Sequence, residues 1–273
     1  MSLVTISQTL GSLGEETGRR LAEELGYIYA DREIILKAAQ QVGQEVAELE
    51  RLTESRPSLL ERLVETRRDY LAAVEGVIWE FAARDNVVFV GRGATFVLQR
   101  IRHVFRVRMT APPHVRVRRL EAQRGLESGA EDAVVRSDRE RAARIRYLYD
   151  VAWDDPLHYD LVINSARCDV DIAVRLIRSA LEAERFHATA ASLAEVRDRS
   201  LTARIRAALL VHPATRDLTL FFTCKDGCVS LSGRVGHDGQ RQVAEELVRS
   251  VRGVTRIACD VVVVQPPPLP PSV

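Results

Sequence analysis

Leu3–Leu25 reads LVTISQTLGSLGEETGRRLAEEL, and its three parts decide the fold. Leu3–Ser7 is a short apolar, β-branched run, the composition of a buried strand. Gly11–Gly18, GSLGEETG, is a glycine-rich turn, and the amphipathic run that follows it is helical in pattern. A strand, such a turn and a helix in that order form a phosphate cradle, because the first N–H groups of a helix and its dipole favour an anion. That cradle asks for Gly-x4-Gly-Lys-Ser/Thr. The spacing does not occur here. Two residues separate Gly11 from Gly14, three separate Gly14 from Gly18, and six separate Gly11 from Gly18. Matched from the helix side, Glu15 and Glu16 stand about where the lysine and the hydroxyl residue belong.

The same letters have a use that needs no ligand. Ser12-Leu13-Gly14-Glu15 fits a capping box, in which Ser12 accepts from the N–H of Glu15 and Glu15 reaches back to the N–H of Ser12. Carboxylates in a first turn also suit the helix dipole and compete there with phosphate. The expectation is weak or absent ATP binding at this loop.

Working outward, strand-like runs recur at Tyr27–Ala30, Val87–Val90, His103–Met109 and Asp160–Asn164. Helical patterns lie between them: Asp31–Arg51 with Asp31 as N-cap, Pro57–Arg84 with Val74, Val77, Ile78 and Phe81 on one face, Pro112–Arg124, Asp132–Tyr149 and Val170–Arg185. Strands separated by helices predict a parallel sheet with helices on both faces. Ligands of such sheets sit beyond the carboxyl ends of the strands. Gly91-Arg92-Gly93 follows a strand directly, which puts Arg92 at that edge, with a solvated turn as the alternative.

The bulk numbers exclude little. The chain has 273 residues, enough for two domains, and a net charge of +1, so nothing pulls it globally toward nucleic acid. Only Lys37 and Lys225 are lysines; the other 37 of 39 basic residues are arginine, a general compositional bias that matters locally because the guanidinium fork suits phosphate. No signal-peptide pattern and no apolar run of membrane-spanning length is present, so the expected location is the cytoplasm. Four cysteines do not make a disulfide framework, and no metal-ligand spacing stands out.

Five segments in order, ISQTLGSLGEETGRRLAEELGY, DREII, GRGATFVL, RVRRLEAQRGL and SDRERAARIRYLYDVAWDDPLHYDLVIN, resemble the cytidylate kinase-like family of P-loop nucleotide kinases over roughly residues 2–182. The last is the most distinctive. The resemblance implies a three-layer α/β fold with a five-stranded parallel sheet. It also implies transfer of a phosphoryl group from Mg-ATP to a nucleoside monophosphate, cytidylate first among candidates. By position it puts Gly11, Ser12, Gly14, Glu15, Glu16, Thr17 and Gly18 in the ATP phosphate loop, and Asp31, Arg32 and Arg92 in the monophosphate site. Arg139, Arg141 and Arg144 fall on or beside the lid as the catalytic arginines, Arg116, Arg118 and Arg119 before it, with Asp138 and Asp155 as local organisers. Family members often carry an arginine in a modified loop; that basic residue is missing here too. The arginines also read as solvated helix faces, and Arg139–Arg144 as a salt-bridged surface helix.

After Phe186 the pattern changes. Residues 187–197 read as a linker or fraying helix between a kinase-like part, 1–186, and a compact α-β-β-α-β unit, 198–265. Its pieces are Leu201–Val211, Leu218–Cys224, Cys228–Gly233, Gln240–Val251 and Thr255–Val264, with KDG as a hairpin turn. DGCVSLSGRV and VRGVTRIACDVVVV resemble the BON domain, which implies an interaction or sensing module with a protein or phospholipid partner, in a mostly bacterial setting. Leu218, Leu220 and Phe222 share one strand face. Cys224 and Cys228 flank the turn and are expected close across the hairpin, as packing residues, a redox pair or half a metal site. His237 is expected in a solvent-facing loop. The proline-rich 266–273 reads as an exposed tail, a proline-binding partner being the alternative. Three functions compete: an active nucleoside monophosphate kinase using Mg-ATP, an inactive kinase fold with no cofactor that serves nucleotide sensing, regulation or protein binding, and a membrane-surface or ligand-binding adaptor acting through the BON domain.

Overall fold

The computed structural model describes residues 2–32, 34, 36, 37, 64–124 and 129–264. Most of the helix expected over Asp31–Arg51, the start of that expected from Pro57, and the proline-rich tail lie outside them. The chain forms two compact units, divided between Leu193 and Ala194.

The first unit is a five-stranded, wholly parallel sheet. Its strands are β1 (Leu3–Gln8), β2 (Ile28–Ala30), β3 (Val87–Val90), β4 (Val104–Thr110) and β5 (Leu161–Asn164), in the order β2-β3-β1-β4-β5. Thr5 registers with Phe89 on one side and Arg106 on the other. All six residues of β1 and all four of β3 are buried, as strands covered on both faces must be. Helix α1 (Gly14–Leu25) and helix α6 (Val170–Leu181) cover one face, packing Leu21, Ala22, Ala173, Val174 and Ile177 against Val4, Ile6, Val88, Val107 and Met109. Gly18 lets α1 approach closely: a Cβ there would lie 2.5 Å from Val90 Cγ2.

Helix α2 (Val64–Ala82) buries Val74, Val77, Ile78 and Phe81, as its periodicity predicts. The short α3 (Ala94–Val97) follows β3, and α4 (Pro113–Arg124) and α5 (Ala130–Tyr149) follow β4. The chain leaves central β1 toward β2 and β3 on one side and later reaches β4 and β5 on the other. The ends of β1, β3 and β4 therefore frame the crevice where a ligand binds in such sheets.

The second unit contains α7 (Ala190–Val211), β6 (Leu220–Lys225), β7 (Cys228–Val235), α8 (Asp238–Ser250) and β8 (Arg256–Val263). The stretch expected as a linker, 187–197, is helical from Ala190. β6 and β7 are antiparallel, β7 and β8 parallel. Leu201, Ile205 and Leu209 of α7, Val229, Leu231 and Val235 of β7, and Ala244 and Val248 of α8 form its core, with Leu218, Leu220 and Phe222 packed against it. Asp226 and Gly227 both adopt positive φ, 49° and 78°, the pair of left-handed residues that a two-residue hairpin loop requires.

The register corrects the reading of the cysteines. Lys225 lies opposite Cys228, and Cys224 opposite Val229. Adjacent positions on a strand face opposite ways, so Cys224 turns to the core while Cys228 is exposed. The two thiols are on different faces and are not a cross-hairpin pair. His237 is the N-cap of α8, its Nδ1 accepting from Gln240 N–H at 3.3 Å.

Candidate active site

Beyond the ends of β1 and β3 the first unit holds a cleft open to solvent. Ser7 and Gln8 end β1 at its floor, Val90 and Gly91-Arg92-Gly93 end β3, and Arg141, Arg144, Ile145, Leu148 and Tyr149 of α5 form the opposite wall. Glu15, Asp31, Thr95, Phe96 and Trp153 complete it. Gly91, Arg92 and Gly93 all have positive φ, 69°, 55° and 76°. Arg92 is a non-glycine residue held in this uncommon conformation. Its Nε donates to Asp31 Oδ1 at 3.2 Å, and both side chains are largely buried. A Cβ on Gly93 would collide with the ring of Tyr149, so the missing side chain lets α5 close on the turn. Phe96 and Tyr149 stack with centroids 5.5 Å apart.

Helical spacing sorts the arginines of α5. Arg141, Arg144, Ile145 and Leu148 share a face at i, i+3, i+4 and i+7 and line the cleft. Arg144 is buried, and Arg141 Nη1 donates to Gln8 O at 3.0 Å. Arg139 lies off this face, exposed and outside the cleft lining. Arg32 is likewise exposed and outside it.

The loop is not a capping box. Leu13 occupies the N-cap in the left-handed region, φ 64°, with no side-chain cap. The Ser12 hydroxyl instead donates to Thr9 O at 2.7 Å and Met109 O at 3.0 Å, which pins the loop to β4. Glu15 accepts from Gln8 Nε2 at 2.9 Å. Of the seven loop residues predicted for ATP, only Glu15 lines the cleft; Ser12, Gly14, Thr17 and Gly18 are buried. Glu16 is exposed and within 3.4 Å of Gln123 Nε2.

Arginines hold this loop from outside. Arg116 is buried and donates to Ala111 O and Leu10 O, and its guanidinium grips both carboxylate oxygens of Asp138 at 3.0 and 2.6 Å. Arg119 donates to Gly11 O and to Ser165. Only Arg118 of that trio is exposed. Asp138 and Asp155 organise locally, the latter accepting from Leu157 N–H at the start of a short 3-10 turn. The profile of the cytidylate kinase-like family matches residues 3–167, and that of the BON domain residues 197–265.

The chain belongs to the cytidylate kinase-like family. Its kinase-like domain is followed by a BON domain. It is 29% identical over 193 residues to a cytidylate kinase of Methanopyrus kandleri, covering 66% of this chain and 93% of that one. It is 28% identical over 185 residues to that of Pyrococcus horikoshii, covering 66% and 88%. An uncharacterized protein from Eubacterium ventriosum has the same fold at a TM-score of 0.52 and 19% identity, over 67% of this chain and all of that one.

Mg-ATP is the co-substrate this family implies, and the loop of the kinase-like domain fits it poorly. The loop carries no lysine, the Ser12 hydroxyl is spent on two carbonyls, Thr17 is fully buried, and the loop side chain in the cleft is a carboxylate. Among the described residues no group of His, Cys, Asp and Glu could hold a metal ion, and no helix is long and apolar enough to cross a membrane.

Four residues were not singled out as site residues from the sequence. Trp153 Nε1 donates to Ser7 Oγ at 2.9 Å, and Tyr159 OH donates to Trp153 O at 2.6 Å. Arg108 Nη1 donates to the same Ser7 Oγ at 3.2 Å and lies 3.8 Å from the Trp153 ring centroid. Burial pushes the Tyr159 phenol above its ordinary value and Arg108 below its own. The tryptophan and tyrosine belong to WDDPLHYDLVIN. The signal for Arg108 was a charge alternating within a strand that reads as buried.

Proposed function

We propose that the kinase-like domain binds a nucleoside monophosphate in this cleft and is weak or inert as an ATP-dependent phosphotransferase, the BON domain serving as an interaction module. The observation that carries this reading is the contrast across the cleft. Arg92, Arg141 and Arg144 line it, while the phosphate loop opposes them with Glu15. Phosphoryl transfer depends on positioning and on neutralising charge around the transferred group. The arginines suit an acceptor phosphate; a γ-phosphate beside Glu15 meets repulsion instead.

Titration calorimetry with cytidylate, other nucleoside monophosphates and Mg-ATP tests the proposal, together with ADP release from Mg-ATP over the same acceptor panel. The expected result is monophosphate binding that Arg92→Ala weakens, no low-micromolar Mg-ATP binding and no turnover. A second reading, an active kinase, draws on the cleft-facing Arg141 and Arg144, which the family resemblance makes candidates for lid arginines. ADP release that Arg92→Ala abolishes would establish it. For the BON domain, co-pelleting of the full chain with anionic liposomes separates a phospholipid partner from a protein one.

A further inference from the structure

Arg108 is a buried cation with no ion-pair partner among the described residues. It is 6% exposed, on β4 between the central strand β1 and the edge strand β5. Its contacts are the Ser7 hydroxyl, the face of Trp153, and the ring and hydroxyl of Tyr159. Arg106, two residues earlier on the same strand face, differs: both oxygens of Asp160 take its guanidinium at 2.9 and 3.0 Å. Asp138 and Asp154 act on Arg108 only from longer range, and Asp138 is already gripped by Arg116. An arginine stays charged even here, and an uncompensated buried charge is destabilising. Such a charge is retained where an anion completes it.

The position fits that need. Ser7 and Trp153 line the cleft, so Arg108 stands one side chain behind its wall. The hydrogen bonds around Ser7 close without it. Tyr159 gives its proton to Trp153 O, Trp153 Nε1–H and Arg108 both donate to Ser7 Oγ, and the Ser7 hydrogen is left to face the Tyr159 oxygen at 3.4 Å. Removing Arg108 therefore leaves Ser7 with a donor in Trp153 Nε1–H and leaves the Tyr159 oxygen, which also faces the guanidinium, with one in Ser7, so what is lost without replacement is the charge.

We propose that Arg108 supplies, from behind Ser7 and Trp153, the positive charge that the phosphate loop lacks, and so makes that end of the cleft a subsite for a phosphate dianion. Arg141 and Arg144 are the cleft-lining arginines that reach the ligand there; Arg108 acts through its field. The identity of the ligand rests on the nucleotide reading above; the charge preference does not.

The test compares wild type with Arg108→Met, Arg108→Gln and Arg108→Lys in the full chain. Binding of cytidylate and of inorganic phosphate is measured by calorimetry, and thermal midpoints with and without them. Loss of a unit charge at this depth is expected to weaken both ligands about tenfold or more. Arg108→Met should leave the ligand-free midpoint unchanged or higher, since no polar group is orphaned, while the ligand-induced rise shrinks. Arg108→Lys should keep most of the affinity that Arg108→Gln loses. Equal affinities for the lysine and glutamine variants, or a Met variant that binds like wild type, would overturn the subsite. So would a wild type that binds no phosphate. If phosphate binds and depends on Arg108 while cytidylate adds nothing, the nucleotide reading fails and the subsite stands. If cytidylate binds regardless of Arg108, the reverse holds.

Discussion

Gln8 Nε2 donates to Glu15 Oε1 across 2.9 Å, joining the end of the central strand to the first turn of the helix after it. This bond holds a carboxylate in the lining of the cleft, the opposite of the cation that phosphate binding calls for. Glu15→Lys removes the carboxylate and supplies an ammonium without touching the loop's anchors, which are Ser12, Arg116 and Arg119. The expected outcome is Mg-ATP affinity raised by about tenfold or more, since reversing one charge beside a phosphate is worth at least about 1.4 kcal/mol. Calorimetry checks it; an unchanged affinity means the loop backbone, and not its charge, is unsuited to ATP.

Gly18→Ala sets helix propensity against packing. Alanine inside a helix gains about 1 kcal/mol over glycine. Its Cβ would stand 2.5 Å from Val90 Cγ2, a branched side chain fixed in the fully buried β3. Overpacking of this kind costs typically about 1–3 kcal/mol, and with the contact this short the cost falls toward the upper end, so packing wins and a net loss of up to about 2 kcal/mol is expected. Urea denaturation of the variant measures it. No loss would mean that α1 and β3 can part at little expense.

The fold was legible in the sequence because parallel strands buried on both faces leave unbroken apolar runs, and LVTIS and VVFV are such runs. The hairpin was legible because few residues besides Asp-Gly accept two positive φ angles in succession. The site was legible in part. Arg92 was marked by its flanking glycines, and Arg141 and Arg144 by their place in the chain, but helix phase alone removes Arg139 from their company. What sequence could not give was partner choice. Ser12 and Glu15 have capping-box spacing, yet Ser12 is drawn to carbonyls of Thr9 and Met109, and Glu15 to Gln8. Arg116 and Arg119 look like a solvated face until the carbonyls of Leu10 and Gly11 are placed beside them.

The strand register predicts an order of thiol reactivity. Cys228 is exposed on the outer face of the three-stranded sheet. Cys224 packs against the core, and burial raises its pKa, which lowers its thiolate fraction at neutral pH. Alkylation of the native protein followed by peptide mass mapping should modify Cys228 well before Cys224. Mild oxidation should yield no Cys224–Cys228 disulfide within a chain. Equal labelling rates, or that disulfide, would contradict the register.

His103 gives the protein an acid-sensitive term. Its ring is fully buried just before β4, both ring nitrogens lack a hydrogen-bond partner among the described residues, and Nε2 stands 4.0 Å from Asp85 Oδ1. Burial lowers its pKa below 6.5, outweighing the pull of Asp85. The unfolded chain therefore binds this proton at a higher pH than the native one. The contribution is complete above about pH 6.5 and is lost as pH falls from there through the lower folded value, at up to about 1.4 kcal/mol per pH unit. Urea midpoints measured between about pH 5 and 7.5 should fall on the acid side for wild type. His103→Gln should lack that part of the slope, whatever its effect on the stability at pH 7.5. Parallel profiles for the two proteins would show that the histidine reaches water, or a closer grip from Asp85, before it titrates.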